Sequence, residues 1–428
     1  MKIFLDSVGC RLNQSEIEHM AGQFRMAGHT IVDQAAGADL VVVNTCAVTA
    51  EAASDSRQKI RQAHRAGAGD IVVTGCWSTL DAQGAAGLPG VQHVIPNARK
   101  DRLVADLLEL PEEVFDREPL AREPLPGLHA RTRAFIKVQD GCDNHCTFCI
   151  TRVARGAGRS RPLADVLRDV QAALDGGTQE IVLTGVHLGS WGQDLGTELH
   201  LRHLVEALLH HSDVRRLRLS SLEPWDLDEA FFSLWTDARL CRHLHLPLQS
   251  GSLATLKRMA RKTTPDTFRR LVQTARQVTP EIAITTDVIA GFPGEGDEEF
   301  HQSLDFIEAM EFAGGHVFTY SARPGTPAAR YPGQVDHAVR KQRSAQIRAA
   351  LARSAEGYRS GFVGMELPVL WEATDALNDE GWRLQGLTDN YLRVSAYAPA
   401  NLWNTVNLVR LECTTADGLA GKIVAGVA

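Results

Sequence analysis

Ala134-Phe-Ile-Lys-Val138-Gln-Asp-Gly-Cys142-Asp-Asn-His-Cys146-Thr-Phe-Cys149-Ile150 runs a strand-like segment straight into three cysteines spaced CxxxCxxC. Three thiolates this close on one loop can hold three irons of a cubane [4Fe–4S] cluster and leave the fourth iron without a protein ligand. An iron left open can be chelated by a small molecule, whereas a fully Cys-ligated cluster mainly passes electrons. Two other readings compete. Zinc normally takes a fourth Cys or His, and His145 sits between the ligand positions rather than at a usual offset. A thioredoxin-like redox pair needs no third cysteine. Iron–sulfur accounts for the loop best.

Outward from the loop, the chain repeats strand then helix. The strand candidates are Phe135–Val138, Glu180–Thr184, Arg216–Ser220, His243–Leu246, Ala283–Val288 and His316–Tyr320. Six such units predict a partial (β/α) barrel over residues 131–360, with its chemistry at the C-terminal strand ends. Upstream, residues 1–108 alternate β and α patterns, with strands at Lys2–Leu5, Asp39–Val43, Asp70–Val73 and Gln92–Ile95. A helix is expected to open at Asn13, with Glu16 completing a capping box. This rhythm predicts an open parallel α/β sheet. Residues 109–130 read as a linker, since 109–126 alone carry four prolines and six acids. The tail, 361–428, predicts a small β-barrel, with strands at Leu367–Trp371, Tyr391–Ser395, Val406–Cys413 and Gly421–Val424.

The chain has 428 residues, 44% hydrophobic and 23% charged, which suits a soluble protein with a full core. No apolar run approaches a membrane span. The opening Met1-Lys2-Ile3-Phe4-Leu5-Asp6 meets a charge too early for a secretory segment. The expected compartment is the cytoplasm, where clustered cysteines more often bind metal than form disulfides. Net charge is −7, so the whole-chain balance does not advertise nucleic acid. Residues 131–161 differ, with Arg131, Arg133, Lys137, Arg152, Arg155, Arg159 and Arg161 against only Asp140 and Asp143. Positive charge beside the loop can steer an anionic substrate. Further basic clusters are Arg215-Arg216-x-Arg218, Lys257-Arg258 with Arg261-Lys262, and Arg340-Lys341-x-Arg343; the last reads as a solvated helix face.

A second cysteine set lies upstream. Cys10, Cys46 and Cys76 each sit just past a different strand of the N-terminal sheet. Open α/β sheets bind ligands outside those strand ends, so three cysteines far apart in sequence would converge there. One of them alone could be a buried core thiol, but all three at equivalent strand ends imply a shared ligand. The arrangement again offers three thiolates, for a second [4Fe–4S] cluster, with zinc as the runner-up. Cys241 and Cys413 lack such placement and read as ordinary thiols.

The CxxxCxxC spacing is that of the radical S-adenosylmethionine (radical-SAM) enzymes, and longer motifs narrow the likeness. Arg133-Ala-Phe-Ile-Lys-Val-Gln-Asp-Gly-Cys142, Arg155-Gly156 with Arg159-Ser-Arg161, Leu183-Thr-Gly-Val-His-Leu-Gly-Ser190, Leu219-Ser-Ser-Leu-Glu-Pro224, His245-Leu-Pro-Leu-Gln-Ser-Gly-Ser252, Asp287-Val-Ile-Ala-Gly-Phe-Pro-Gly-Glu295 and His316-Val-Phe-x-Tyr-Ser321 together resemble the methylthiotransferases. These radical-SAM enzymes insert sulfur and a methyl group into an unreactive C–H bond. The opening Gly9-Cys-Arg-Leu-Asn-Gln-Ser-Glu16 and Thr184-Gly-Val-His187 are most similar to the branch acting on threonylcarbamoyl-adenosine in tRNA, at position 37 just 3′ of the anticodon. Related branches modify isopentenyl-adenosine in tRNA or an aspartate of a ribosomal protein. A non-catalytic iron–sulfur carrier would explain the cysteines but not the polar strand ends.

The resemblance implies two [4Fe–4S] clusters. Cys142, Cys146 and Cys149 would hold the one that binds SAM and cleaves it reductively to a 5′-deoxyadenosyl radical. Cys10, Cys46 and Cys76 would hold an auxiliary cluster that presents the sulfur. Phe148, Thr184, Gly185, Ser221, Glu223, Gln249, Asp287 and Tyr320 are the expected SAM-binding residues, with loop anchoring, helix capping and core packing as the plainer roles for Phe148, for Ser221 and Asp287, and for Tyr320. Arg155, Arg159 and Arg161 are expected to meet the tRNA anticodon stem-loop. A one-electron reductant of flavodoxin or ferredoxin type would be the other partner, and the tail resembles the RNA-binding TRAM barrel.

Overall fold

The computed structural model describes residues 1–111, 114–115, 132–196, 198–379 and 381–426. Most of the linker read at 109–130 therefore lies outside the described residues, as does Arg131. The described chain divides into two compact units. One holds Met1–Asn144, Cys149–Thr178 and Leu183–Leu199; the other holds His145–Phe148, Gln179–Val182 and His200–Ala428. No described helix is long and apolar enough to cross a membrane.

The first unit is built on β1 (Lys2–Ser7), β2 (Thr30–Val32), β3 (Leu40–Thr45), β4 (Asp70–Gly75) and β5 (Val91–Ile95), in the order β2-β1-β3-β4-β5. All pairings are parallel. Every residue of central β3 is buried, as a strand covered on both faces requires. Edge strand β2 spans only three residues, too few to show a period in the sequence. Seven helices of the described residues belong here: α1 (Arg11–Met26), α2 (Ala50–Arg65), α3 (Cys76–Leu80), α4 (Ala82–Ala86), α5 (Leu103–Leu108), α6 (Thr151–Arg155) and α7 (Leu163–Asp175). The capping box expected at Asn13 and Glu16 does not form. Helix α1 starts at Arg11 behind Cys10 with no side-chain cap, and Asn13 and Glu16 lie buried inside it. Their polar groups reach other segments instead. The unit also carries β6 (Arg133–Lys137) and the antiparallel pair β7 (Gln139–Asp140) and β8 (Arg159–Ser160).

Strand β9 (Glu180–Thr184) divides between the units. Val138 N donates to Thr184 O in the first, and Ile181 N to Arg216 O in the second. The second unit continues with β10 (Leu217–Leu219), β11 (His243–His245), β12 (Ala283–Ala290) and β13 (Gly314–Thr319). The last three are parallel neighbours, and bridges Leu217–Leu240 and Ser221–His245 carry the order back to β10. A closed barrel follows: β14 (Glu366–Asn378), β15 (Gly381–Thr388), β16 (Arg393–Ala398), β17 (Val406–Thr414) and β18 (Leu419–Gly426), closing in the order β14-β15-β16-β18-β17. Its core includes Val369, Leu384, Val409 and Trp371, whose Nε1 donates to Asn407.

Two of the basic clusters turn inward. Arg216 and Arg218 share the wholly buried Glu180 and donate onward to the carbonyls of Leu387, Thr388 and Asp389, tying the small barrel down. The Arg340-Lys341-x-Arg343 stretch, expected as a solvated face, keeps only Lys341 outside. Arg343 is buried against Glu295 and Asp297, because its helix packs that side onto the strands' return loops. Arg242 also grips Asp389, at 2.6 Å. Burial opposes ionisation of Asp389, yet the Arg242 hydrogen bonds and charge outweigh it and hold the carboxyl below its ordinary value. A carboxyl depressed in the folded state contributes stability above its unfolded pKa of about 3.9 and loses it as pH falls through the folded value. Acid titration of the unfolding midpoint between about pH 5 and 3 is therefore expected to show a downward slope. The Asp389→Asn chain should be less stable at pH 7 and flatter over that range; an unchanged slope would exclude this contribution.

Candidate active site

Strands β1, β3 and β4 are sheet neighbours, so the residues that follow them meet at one edge. Cys10 stands at the N-terminus of α1, Cys46 follows β3 and Cys76 opens α3. Two glycines allow this closeness. Gly9 has φ +96°, and a Cβ there would lie 2.4 Å from Cys46 Sγ; Gly75 has φ +101°, and its Cβ would lie 2.3 Å from Thr45 O. Neither position tolerates a side chain. Burial pushes the Cys46 thiol up, and the nearby Cys10 and Cys76 push it further. Among the described residues, no three His, Cys, Asp or Glu side chains close on a single metal ion. Three thiols at neighbouring strand ends, close enough for their charges to act on one another, offer the donor set that a [4Fe–4S] cluster needs.

Behind these cysteines lies a buried polar network that the sequence did not reveal. Asn13 Nδ2 donates to Val8 O and Thr45 O, joining the loop after β1 to the end of β3. Glu16 accepts from Asn44 Nδ2 at 2.9 Å, Lys100 Nζ at 2.8 Å and Arg155 Nη1 at 2.9 Å. Burial disfavours the Glu16 carboxylate, but Lys100, Arg155 and Lys137 outweigh it and hold it well below the usual range. Cys76 Sγ accepts from Arg155 Nε at 3.3 Å and lies 3.6 Å from Asn97 Nδ2. Arg155 was expected to face RNA; its side chain is instead 2% exposed and directed into this network.

The loop residues of the same unit are held by backbone and amide contacts. Cys142 N donates to Gly156 O, and Asn144 N points at Cys142 Sγ, 3.4 Å away. Gln139 braces the turn by donating to the carbonyls of Asp140 and Gly141, while its Oε1 accepts from His187 N. Thr184 is buried and its carbonyl pairs with Val138; Gly185 packs on Gln139, where a Cβ would come within 3.1 Å. Both brace the strand that delivers the loop. Cys149 leads into α6. Arg159 is exposed in β8, and Arg161 is tied to Asp169 and Lys137 O.

Cys146, Thr147 and Phe148 belong to the second unit. Thr147 is locked by Met259, Arg258 and Ala328, and Phe148 packs edge-on against Phe292, consistent with loop anchoring. Cys146 Sγ lies 3.8 Å from Arg261 Nη1. The Arg261 side chain is 1% exposed and grips Glu223 with both Nη atoms, at 3.0 and 2.7 Å, beneath the Trp225 ring. The expected Glu223 is therefore oriented by an arginine that sequence reading placed only in a basic run. Gln249 has φ +68°, rare for a residue with a side chain, pinned by bonds from its N to Asp287 O and from Ile289 N to its O. Such strain concentrates at functional sites. Asp287 Oδ2 is 3.4 Å from His245 Nε2, while Asp287 Oδ1, Ser220 Oγ and Tyr320 Oη are buried with no hydrogen-bond partner among the described residues. Ser221 is exposed at the end of β10. Orphaned polar atoms just after β10 and β13 and within β12 fit a polar small molecule that supplies the missing partners.

Two family models match: the Radical SAM superfamily over residues 136–307 and Uncharacterized protein family UPF0004 over residues 2–95. The Bacillus subtilis protein "Threonylcarbamoyladenosine tRNA methylthiotransferase MtaB" is 37% identical over 91% of this chain and 88% of its own length. The Maricaulis maris "tRNA-2-methylthio-N(6)-dimethylallyladenosine synthase" is 30% identical over 99% and 97%. Among solved structures, the radical SAM methyltransferase TsrM from Kitasatospora setae shares the fold, with a TM-score of 0.59, 17% identity and coverage of 77% of this chain and 75% of that one. Identity at this level over nearly the whole length, with both cysteine sets in place, decides the family: the chain belongs to the radical-SAM methylthiotransferases.

Proposed function

We propose that the protein converts N6-threonylcarbamoyladenosine at position 37 of tRNA to its 2-methylthio derivative. The observation that carries this reading is the 37% identity to the Bacillus subtilis enzyme, against 30% to the relative named for dimethylallyladenosine. The family's cofactors are S-adenosylmethionine and [4Fe–4S] clusters, which when bound supply a substrate radical and the sulfur and methyl group that quench it.

The protein's own residues then do the following. Cys142, Cys146 and Cys149 hold the SAM-binding cluster, and the Arg261 charge offsets that of the Cys146 thiolate. Glu223, steadied by Arg261, and the orphaned Asp287 Oδ1 and Tyr320 Oη receive the polar groups of SAM, beside Gln249 and Ser221. Cys10, Cys46 and Cys76 hold the auxiliary cluster. Exposed Arg152 and Arg159 are available to phosphates of the anticodon stem-loop, where Lys/Arg contacts dominate affinity; Arg161 is half-committed to Asp169. The reaction needs a one-electron reductant, for which a flavodoxin or ferredoxin is the natural class, and it belongs in the cytoplasm with tRNA.

Mass spectrometry of tRNA nucleosides from a deletion strain tests the substrate. Loss of the 2-methylthio form of threonylcarbamoyladenosine, restored by the gene, is expected. Its persistence alongside loss of the methylthio isopentenyl nucleoside would move the protein to the other branch.

A further inference from the structure

Arg155 is the unexplained residue of the site. It closes α6, six residues after Cys149, and lies buried beside a thiol of the other cysteine set. Its five donors are distributed in one direction: Nε to Cys76 Sγ, Nη1 to Glu16 and Asp140, Nη2 to Asn13 and Glu16. The geometry of the fork explains why a sulfur takes one of them, since both Nη atoms are already occupied by Glu16, Asp140 and Asn13. Arg155 and Lys100, both 2% exposed, share one equally buried carboxylate, Glu16. At the margin Asp140 pairs with Arg155 at 2.9 Å, and Lys137 pairs with Asp101 at 2.7 Å. Three cations thus meet three carboxylates, and the Cys76 sulfur is a further acceptor, taken by the Nε–H that no carboxylate occupies. Glu16 and Asp140 hold the guanidinium plane like a clamp, so its Nε–H cannot swing off the sulfur. Asn97 approaches the same Sγ while donating to Ala154 O, one residue from Arg155.

We propose that Arg155 is a positioning residue of the auxiliary cluster, fixing the Cys76 thiolate and raising the cluster's reduction potential through a charged N–H···S contact. Hydrogen bonds to cluster sulfurs and nearby positive charge favour the reduced form. The inference rests on the reading that Cys10, Cys46 and Cys76 hold a cluster, and the two fail differently in one experiment. The parent is the full-length chain carrying Cys142→Ala, Cys146→Ala and Cys149→Ala, reconstituted with iron and sulfide. About four irons per chain are expected; none would overturn the cluster reading itself. Arg155→Gln and Arg155→Lys are then compared with it by redox titration followed by electron paramagnetic resonance. Both variants should titrate at more negative potential with altered spectra, Arg155→Gln further than Arg155→Lys. Arg155→Lys keeps the charge but not the fork, so it reports on the sulfur contact even where Arg155→Gln fails to fold. A well-loaded Arg155→Lys chain with the parent's potential and spectrum would overturn the proposal.

Discussion

Replacing Cys76 with Ala is expected to abolish methylthio product while 5′-deoxyadenosine still forms from SAM. The thiol sits at the end of β4, beside Cys46 and under Arg155, and belongs to a different part of the chain from the CxxxCxxC loop. Its loss removes one corner of the auxiliary site and leaves the loop's three cysteines untouched. As-isolated iron should drop from about eight per chain to about four. The same outcome is expected for Cys10→Ala and Cys46→Ala. Cys146→Ala should stop both reactions, because it removes a thiol proposed to hold the cluster that would bind SAM. The measurement is a paired assay of deoxyadenosine and modified nucleoside by mass spectrometry. Product retained by any one of the three upstream variants would remove that cysteine from the sulfur-delivering set.

Replacing Glu180 with Ala is expected to destabilise the second unit by about 3–5 kcal/mol, the usual cost of stripping the partner from buried charges. Glu180 and Arg218 are both 0% exposed and Arg216 is 9% exposed. With the carboxylate gone, the two guanidinium groups would keep only backbone carbonyls, the charge of Asp389 and, for Arg218, the face of Tyr391. Those carbonyls belong to the small barrel, so its seating should loosen too. Denaturant unfolding measures the loss, and limited proteolysis near Leu387–Asp389 measures the loosening. A change below about 1 kcal/mol would mean that the arginines are satisfied without Glu180.

The repeating architecture and the two cysteine sets were legible because each rests on local signals. Apolar runs such as Val41-Val42-Val43 mark covered strands, and cysteines that follow them inherit the strand ends. What stayed hidden depends on contacts distant in the chain. Glu16 reads as a cap three residues after Asn13, and nothing nearby announces that Lys100 and Arg155 will reach it from 84 and 139 residues away. Arg155 and Arg261 sit in basic runs that look like surface, and only tertiary packing turns them onto thiols. The short β2 and β15 escaped for a simpler reason: three residues carry no period, and β15 sets exposed Arg383 and Gln385 between buried Leu384 and Gly386, the glycine weakening the strand signal.

The reach of Arg155 into the N-terminal sheet also bears on how such an enzyme can be cut and recombined. A polypeptide ending before the CxxxCxxC loop would keep all three upstream cysteines yet lack the guanidinium that bridges Cys76, Asn13 and Glu16. The sheet is therefore not a self-sufficient cassette that could be fused elsewhere with its cluster site intact. Its inheritance is tied to the loop and the short helix after it, so the two cysteine sets would have to travel through evolution as one piece.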